Sequence, residues 1–556
     1  MPEAKAPTPG SPKMPPWDLG VLPDAPEWGR KNWAQMLGPG LLCAGAAIGG
    51  GEWLMGPVNT GRYGGAVLWV CTLSILAQVI YNIEISRYTL FTGEPIMNGK
   101  FRTFLGPMFW LGVYLILDFG SLMPYQVAST ATPVYMVATN LRPPSGDPAT
   151  RDLLIWIACG LYIVASLPLV FAGKIYTFIK GVMTLKVLVV FSTLAFLAVF
   201  YSTPSTWLEI ITGFFKFGTV PAQSGQAENI FVSLLSGRGF PKMDAAAFSA
   251  LAAFAAIAGI GGIKNVMVSS YTRDQGWGMG SQVGAISSII GKHDLQLSHV
   301  GKVFEANEVS LPRWRRWMRH VSREQLAIWG TGAMIGVGLP AMLSVQFVPR
   351  GTKEEGWGMA TLTAQRVQEA IGGPLGTFYG YLLVICGILV LLPNTITDAD
   401  ATVRRWVDLA WTGSKRLQKW DPRKINLFYF WVLAGFVVAG VIILRLLPQP
   451  KELIQIYGCI ANFALGYSCF HVLALNVTLL PRPIRPGAFN RTALSLAGVY
   501  FLALAGVTLY FEIQKGNRKL GYTFSGIMLL LIVVLAVYAV WLARRGGERQ
   551  GEPAPA

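Results

Sequence analysis

Stretches of about 20 mostly apolar residues, the length that carries a helix across a bilayer, recur about twelve times between Met36 and Leu542. Few folds stay open to such a chain. Inside a bilayer every backbone N–H and C=O needs a partner within the protein, which leaves helices or closed barrels, and runs of this length select helices. The runs cover roughly Met36–Asn59, Ala66–Tyr88, Met108–Ala138, Leu153–Ala172, Phe178–Phe200, Ala245–Tyr271, Leu326–Val348, Phe378–Ile396, Leu427–Leu447, Leu453–Leu480, Leu494–Ile513 and Phe524–Leu542. With 53% hydrophobic and 13% charged residues in a length of 556, the chain reads as an all-α polytopic membrane protein and not as a soluble enzyme.

Two of these runs carry the same kind of fault. In the first, Gly49, Gly50, Gly51 and Glu52 interrupt the apolar pattern. Three glycines cost about 1 kcal/mol each relative to alanine in a helix, and a buried carboxylate costs about 2.5 to 3.5 kcal/mol more. The sixth run has glycines at 259, 261 and 262, followed by Lys264 and Asn265. Unwound backbone at membrane depth is tolerated where it lines a cavity or is buried in protein, and paired interrupted helices mark the substrate site of secondary transporters built from inverted repeats. Each interrupted run opens a group of five. The expected organisation is therefore a first repeat over 31–200, an extracytoplasmic loop at 201–244, and a second repeat over 245–480 with a cytosolic loop at 272–325. Two additional helices follow at 481–543, then a tail at 544–556. The substrate site is expected at Gly49, Gly50, Gly51, Glu52, Gly261, Gly262, Lys264 and Asn265.

A net charge of +17 raises nucleic acid as a partner, but the basic residues sit between apolar runs and excess positive charge falls on one side. Arg87, Lys100 and Arg102, then Arg313, Arg315, Arg316, Arg319 and Arg323, then Arg404 and Arg405, then Arg482, Arg485 and Arg491 share that side. The positive-inside rule makes it cytosolic, so the chain is placed in the cell (inner) membrane with a cytosolic amino terminus and no nucleic-acid partner. Lys515, Arg518 and Lys519 fall on the other side. Residues 1–30 are rich in Pro, Gly and Ala and read as a disordered cytosolic tail. From Pro312 to Arg323, tryptophan alternates with arginine, as expected of an interfacial helix lying on anionic headgroups. The six cysteines, Cys43, Cys71, Cys159, Cys386, Cys459 and Cys469, lie in apolar runs without CxxC spacing and read as small core residues. No phosphate-binding loop, nucleophile elbow or paired-cysteine site appears, so neither an enzyme nor a bound cofactor is expected.

Gly38-Pro39-Gly40, Tyr63-Gly64, Leu68-Trp69-Val70, Asn82 and Thr92-Gly93 resemble the opening of the Nramp family of divalent-metal transporters. The resemblance implies a LeuT-type five-plus-five inverted repeat with discontinuous first and sixth helices. It also implies a proton-linked symporter that moves a metal ion by alternating access. The family's first helix breaks at Asp-Pro-Gly-Asn, where this chain has Gly49, Gly50, Gly51 and Glu52; its sixth helix carries Met-Pro-His, where this chain has Ile263, Lys264 and Asn265. The ligand aspartate and the soft sulfur are both replaced, leaving Glu52 as the one candidate metal ligand. A protonated Lys264 about 5 Å from a divalent ion would oppose it by about 6 to 7 kcal/mol at an effective dielectric of 20. Three readings stay open: a structural Glu52–Lys264 bridge, a charged site for a zwitterionic or other organic solute, or a metal site with Lys264 neutral or turned away. A non-transporting membrane sensor is a further alternative.

Other ionisable residues have local explanations. Glu84 and Arg87, three apart on one helix face, suit an ion pair better than a proton relay. Asp118, an intramembrane acid in the third run, is the stronger relay candidate. Lys180 suits snorkelling to an interface, whereas Lys186 lies deeper. Asp398 and Asp400 are expected to bridge locally to Arg404 and Arg405. Asn462 has the substrate as a possible partner, and His471 reads as a satisfied core group. His293, Asp294 and His299 match no metal-site spacing.

Overall fold

A computed structural model of the chain describes residues 10–11, 13–27, 49–171, 175–283, 300–354, 356–414, 416–420, 425–514 and 534. The first span is described from Gly49 onward, as a wide π-turn over Gly51–Met55 that leads into α1 (Gly56–Tyr63). Then come α2 (Trp69–Thr92), α3 (Pro107–Leu117), α4 (Tyr125–Ala138), α5 (Pro148–Phe171) and α6 (Ile175–Tyr201). The second group opens with α7 (Ala245–Ile257) and α8 (Met267–Asp274), joined through a tight 3₁₀ turn at Gly262–Val266. It continues with α9 (Ser310–Glu324), α10 (Thr331–Phe347), α11 (Gly373–Gly413), α12 (Ile425–Leu446) and α13 (Pro450–Leu479), and α14 (Ala488–Gln514) follows as a further helix.

Among the described residues nine helices are long and apolar enough to cross a membrane, or ten if α3 and α4, bent by 48° at Asp118, form one span. The stretches Met36–Ile48 and Phe524–Leu542, which complete the expected twelve, lie outside the described residues save Val534. Burial sorts the spans into centre and rim. Of the most apolar window, 83% is buried in the span Ala245–Asp274 and in α13, against 28% in Leu427–Leu446. Leu188, Phe200, Trp431 and Val438 on α6 and α12 are exposed, as helices facing lipid should be. The interrupted sixth span therefore sits in the core, packed on α13, α2 and the π-turn of the first.

The loop between α6 and α7 holds a small antiparallel hairpin, β2 (Thr219–Pro221) with β3 (Ala227–Asn229). Asp244 then starts α7 by accepting the N–H groups of Ala246 and Ala247 at 3.0 and 3.1 Å, which satisfies two donors that a helix start leaves over.

Two expectations for the basic end of the bundle are corrected. Residues 13–27 do not form a disordered tail: Trp17 is buried against Tyr88 and Phe91, and β1 (Asp18–Leu19) pairs in parallel with β4 (Lys302–Val303). Arg102 donates to Pro15 O at 2.6 Å while its guanidinium is held by Glu94. Nor does α9 lie on headgroups through its tryptophans, because Trp314 and Trp317 are 3% and 2% exposed and pack inward. Trp317 Nε1 donates to Pro23 O at 2.8 Å, and Arg316 pairs with Asp24 at 2.6 Å. The amphipathic helix covers protein with its aromatic face and holds the amino-terminal strap with its arginines.

Candidate functional site

Glu52 is 1% exposed in the π-turn of the first span, and both interruptions share its carboxylate. Oε2 accepts the N–H of Gly49 at 2.9 Å, and Oε1 accepts the N–H of Gly259, in the sixth span, at 3.1 Å. One acid thus serves a backbone donor at each break. The helices meet this closely because residue 51 is glycine: a Cβ there would stand 2.3 Å from Ile257 Cγ2. A Cβ on neighbouring Gly50 would meet the Tyr125 ring at 2.9 Å.

The sixth span breaks because Gly259, Gly261 and Gly262 adopt φ of +97°, +75° and +61°, in the left-handed region that L side chains rarely enter. Its freed backbone groups are taken up by a side chain that the sequence reading passed over. Gln78 of α2 donates Nε2 to Ala258 O at 2.7 Å, while its Oε1 accepts the N–H groups of Ile260 and Gly261 at 3.3 and 3.2 Å. The same Oε1 accepts Asn265 Nδ2 at 3.2 Å, and Asn265 also donates to Asn82 Oδ1 at 3.0 Å. Asn82 donates in turn to Gln325 Oε1 at 2.9 Å. Ser74, Gln78 and Asn82 recur every four residues on α2, a polar stripe in an apolar span that marks the face turned to the break.

Lys264 does not pair with Glu52. The 3₁₀ turn aims it to the other side of the sixth span, where Nζ lies 2.6 Å from Asp398 Oδ2 on α11 and 5.1 Å from the centre of the Tyr457 ring. Asp398 is correspondingly not bridged to Arg404 or Arg405; its Oδ2 also accepts Gln126 Nε2 at 2.9 Å. Lys264, Asp398, Tyr125, Gln126, Ser121 and Tyr457 border a small pocket that is partly open to solvent. Gln126 Oε1 and Asn265 Oδ1 are buried acceptors without a partner among the described residues. The deep Lys186 donates to Asn394 Oδ1 at 2.8 Å and is within electrostatic reach of Glu52 and Asp398. Two acids and two lysines thus surround the junction of the breaks.

The relay candidates lie elsewhere and are held by arginines. Asp118 Oδ2 accepts Arg405 at 2.6 Å and Trp406 Nε1 at 2.7 Å, at the bend between α3 and α4. Glu84 takes Arg87 as a bidentate partner at 2.8 and 2.9 Å and also accepts Asn476 and Asn490. Asp400 pairs with Arg404 at 2.7 Å. Asn462 donates to Ala252 O at 2.9 Å, so it packs on α7, and His471 meets Tyr114 and Thr103 hydroxyls at 2.7 and 3.0 Å. The Lys180 side chain, Cys43, His293, Asp294 and His299 lie outside the described residues. The five described cysteines are unbridged. Among the described residues no three His, Cys, Asp or Glu side chains come together as a ready metal cage; any cation here would meet one or two carboxylates and amide or backbone oxygens.

No protein-family model and no curated protein sequence matches the chain. Solved structures do. A manganese transporter from Eremococcus coleocola, in complex with an aromatic bis-isothiourea substituted compound, aligns with a TM-score of 0.60 at 13% identity, over 94% of this chain and 97% of that one. Two mutants of the same transporter align with TM-scores of 0.61 and 0.59, also at 13% identity, the second over 95% of this chain and 98% of that one. The chain is a polytopic all-α membrane protein that shares its fold with these structures.

Proposed function

We propose that the chain is a secondary transporter that carries a small charged cargo by alternating access, loading it where the first and sixth helices are interrupted. The observation that carries this is Glu52, a buried acid whose two oxygens bind backbone N–H groups from two different interruptions. A passive packing seam has no use for such a group, whereas a cargo entering the junction would loosen or reshape both helices at once. The arginine-rich loops support a cell (inner) membrane location with the amino terminus in the cytosol.

The fold shared with a manganese transporter and the Nramp-like opening of the sequence support a metal ion as cargo. Glu52, Asp398, Gln126 Oε1 and Asn265 Oδ1 would offer it oxygen, a donor set that suits a hard ion such as magnesium or manganese better than a soft one. A second reading is favoured by the Lys264–Asp398 pair at the pocket. A zwitterionic solute would exchange that one ion pair for two, its carboxylate on Lys264 and its ammonium on Asp398.

Uptake of manganese, magnesium and zwitterionic amino acids into proteoliposomes, with wild type and Lys264→Ala, separates the two. Metal uptake that rises in Lys264→Ala supports the metal cargo. Amino-acid uptake that disappears in it supports the zwitterion. Accumulation of none of them by either protein contradicts a carrier of these cargoes.

A further inference from the structure

Among the fully buried ionisable groups of the described residues, Lys100 lies apart from both helix breaks and from the pocket. It lies in a short helix, Ile96–Phe101, between the second and third spans, and its side chain is 0% exposed. Its ammonium meets a hydroxyl and a ring: Nζ donates to Ser468 Oγ of α13 at 2.6 Å and stands 4.3 Å from the centre of the Tyr114 ring of α3. Tyr81 of α2 closes the cluster through a 2.6 Å hydrogen bond with Ser468. His471, within electrostatic reach of Lys100, shares a 2.7 Å hydrogen bond with the Tyr114 hydroxyl, and the thiol of Cys469 is a further titratable neighbour on α13. Glu94, the acid of the turn before this helix, is already taken: it is held by Arg102 and by the Tyr88 hydroxyl at 2.5 Å. Among the described residues, then, no carboxylate balances Lys100.

A charged lysine in this place keeps a desolvation penalty of several kcal/mol, of which a hydroxyl and a ring face recover only part. The amine form pays no such penalty. We propose that Lys100 is the proton-binding site of this carrier, neutral while α2, α3 and α13 close around it and protonated from water when the seam between α2 and α13 opens. The proton goes to Nζ on opening and returns to water on closing, one per cycle. The site is placed to matter for the cargo, because Tyr81 is three residues from Gln78, which caps the sixth-span break, and α13 also carries Tyr457 of the pocket. The coupling assignment rests on the transporter reading; the protonation itself does not.

Burial pushes Lys100 down to about 7 in the closed arrangement, against about 10.4 for a hydrated lysine. Between those values closing releases a proton, so each unit of rising pH favours the closed seam tenfold; below about 7 both forms are charged and the dependence flattens. Amide hydrogen exchange of residues 465–472, corrected for intrinsic rates, measures this in the purified full-length protein without any cargo. Protection should rise about tenfold per pH unit from pH 7 to pH 9 in wild type and stay flat in Lys100→Met and Lys100→Gln. A flat wild-type profile overturns the proposal, and so does a slope that survives in either folded variant. Because no cargo enters this measurement, its outcome is separate from that of the uptake assay.

Discussion

Lys264 places its ammonium 2.6 Å from Asp398 Oδ2, joining the interrupted sixth span to α11 and leaving Glu52 to the backbone. The pairing means that the most exposed acid of the site, with a side chain 34% accessible, is neutralised from within. Removing that internal cation frees Asp398 for another. Lys264→Ala should bind manganese at least about tenfold more tightly than wild type by calorimetry, given repulsion of several kcal/mol between a lysine and a divalent ion at this range. Unchanged affinity would mean that Lys264 moves aside at no cost.

Gln78 is predicted to hold the broken helix in shape. Gln78→Leu strands the carbonyl of Ala258 and the N–H groups of Ile260 and Gly261, and each unsatisfied buried group costs about 1 to 3 kcal/mol. A fall in Tm of about 3 °C or more is expected in detergent, at about 2 to 4 °C per kcal/mol. An unshifted Tm would show that other groups cap the break.

The interruptions were legible in the sequence because glycine and charge inside an apolar run are local signals. Their partners were not. Lys264 and Asp398 are 134 residues apart, and which one Lys264 meets depends on how the turn after Gly262 is rotated against α11, a matter of packing between helices. The stripe of Ser74, Gln78 and Asn82 was readable at a spacing of four, and it names the face of α2 that serves the break. Trp17 illustrates the opposite limit. A lone tryptophan in a Pro-rich stretch looks like disorder until Tyr88, Phe91 and the strand at Lys302–Val303 are brought beside it.

Close approach of the first and sixth spans makes Gly51 intolerant of a side chain. Gly51→Ala must move Ile257, whose Cγ2 and Cβ would be met at 2.3 and 2.6 Å, and so separate Glu52 from Gly259. Uptake of the cargo should fall at least about tenfold, consistent with a penalty of about 1 to 3 kcal/mol for overpacking. Gly112→Ala, where nothing lies within 4 Å, is the matched control and should transport normally.

Trp17 buries the amino-terminal strap against Tyr88 and Phe91, and truncating a buried aromatic of this size costs about 3 to 5 kcal/mol. Trp17→Ala should therefore release residues 13–27 and speed tryptic cleavage after Lys13 several-fold. Equal cleavage in wild type and variant would show that the strand pairing and the Asp24–Arg316 bridge suffice without it.

Glu52 joins the two breaks through one carboxylate. A glutamine there offers one carbonyl oxygen for two N–H donors and turns an amide N–H toward the other, so the two breaks can no longer be held together by one side chain. The direct measurement is accumulation of cargo against its gradient in proteoliposomes, for wild type and for a Glu52→Gln variant shown to be folded. Concentrative uptake by wild type that drops at least about tenfold in Glu52→Gln, a loss of about 1.4 kcal/mol or more, is the predicted result; wild-type uptake rates in Glu52→Gln would contradict the account.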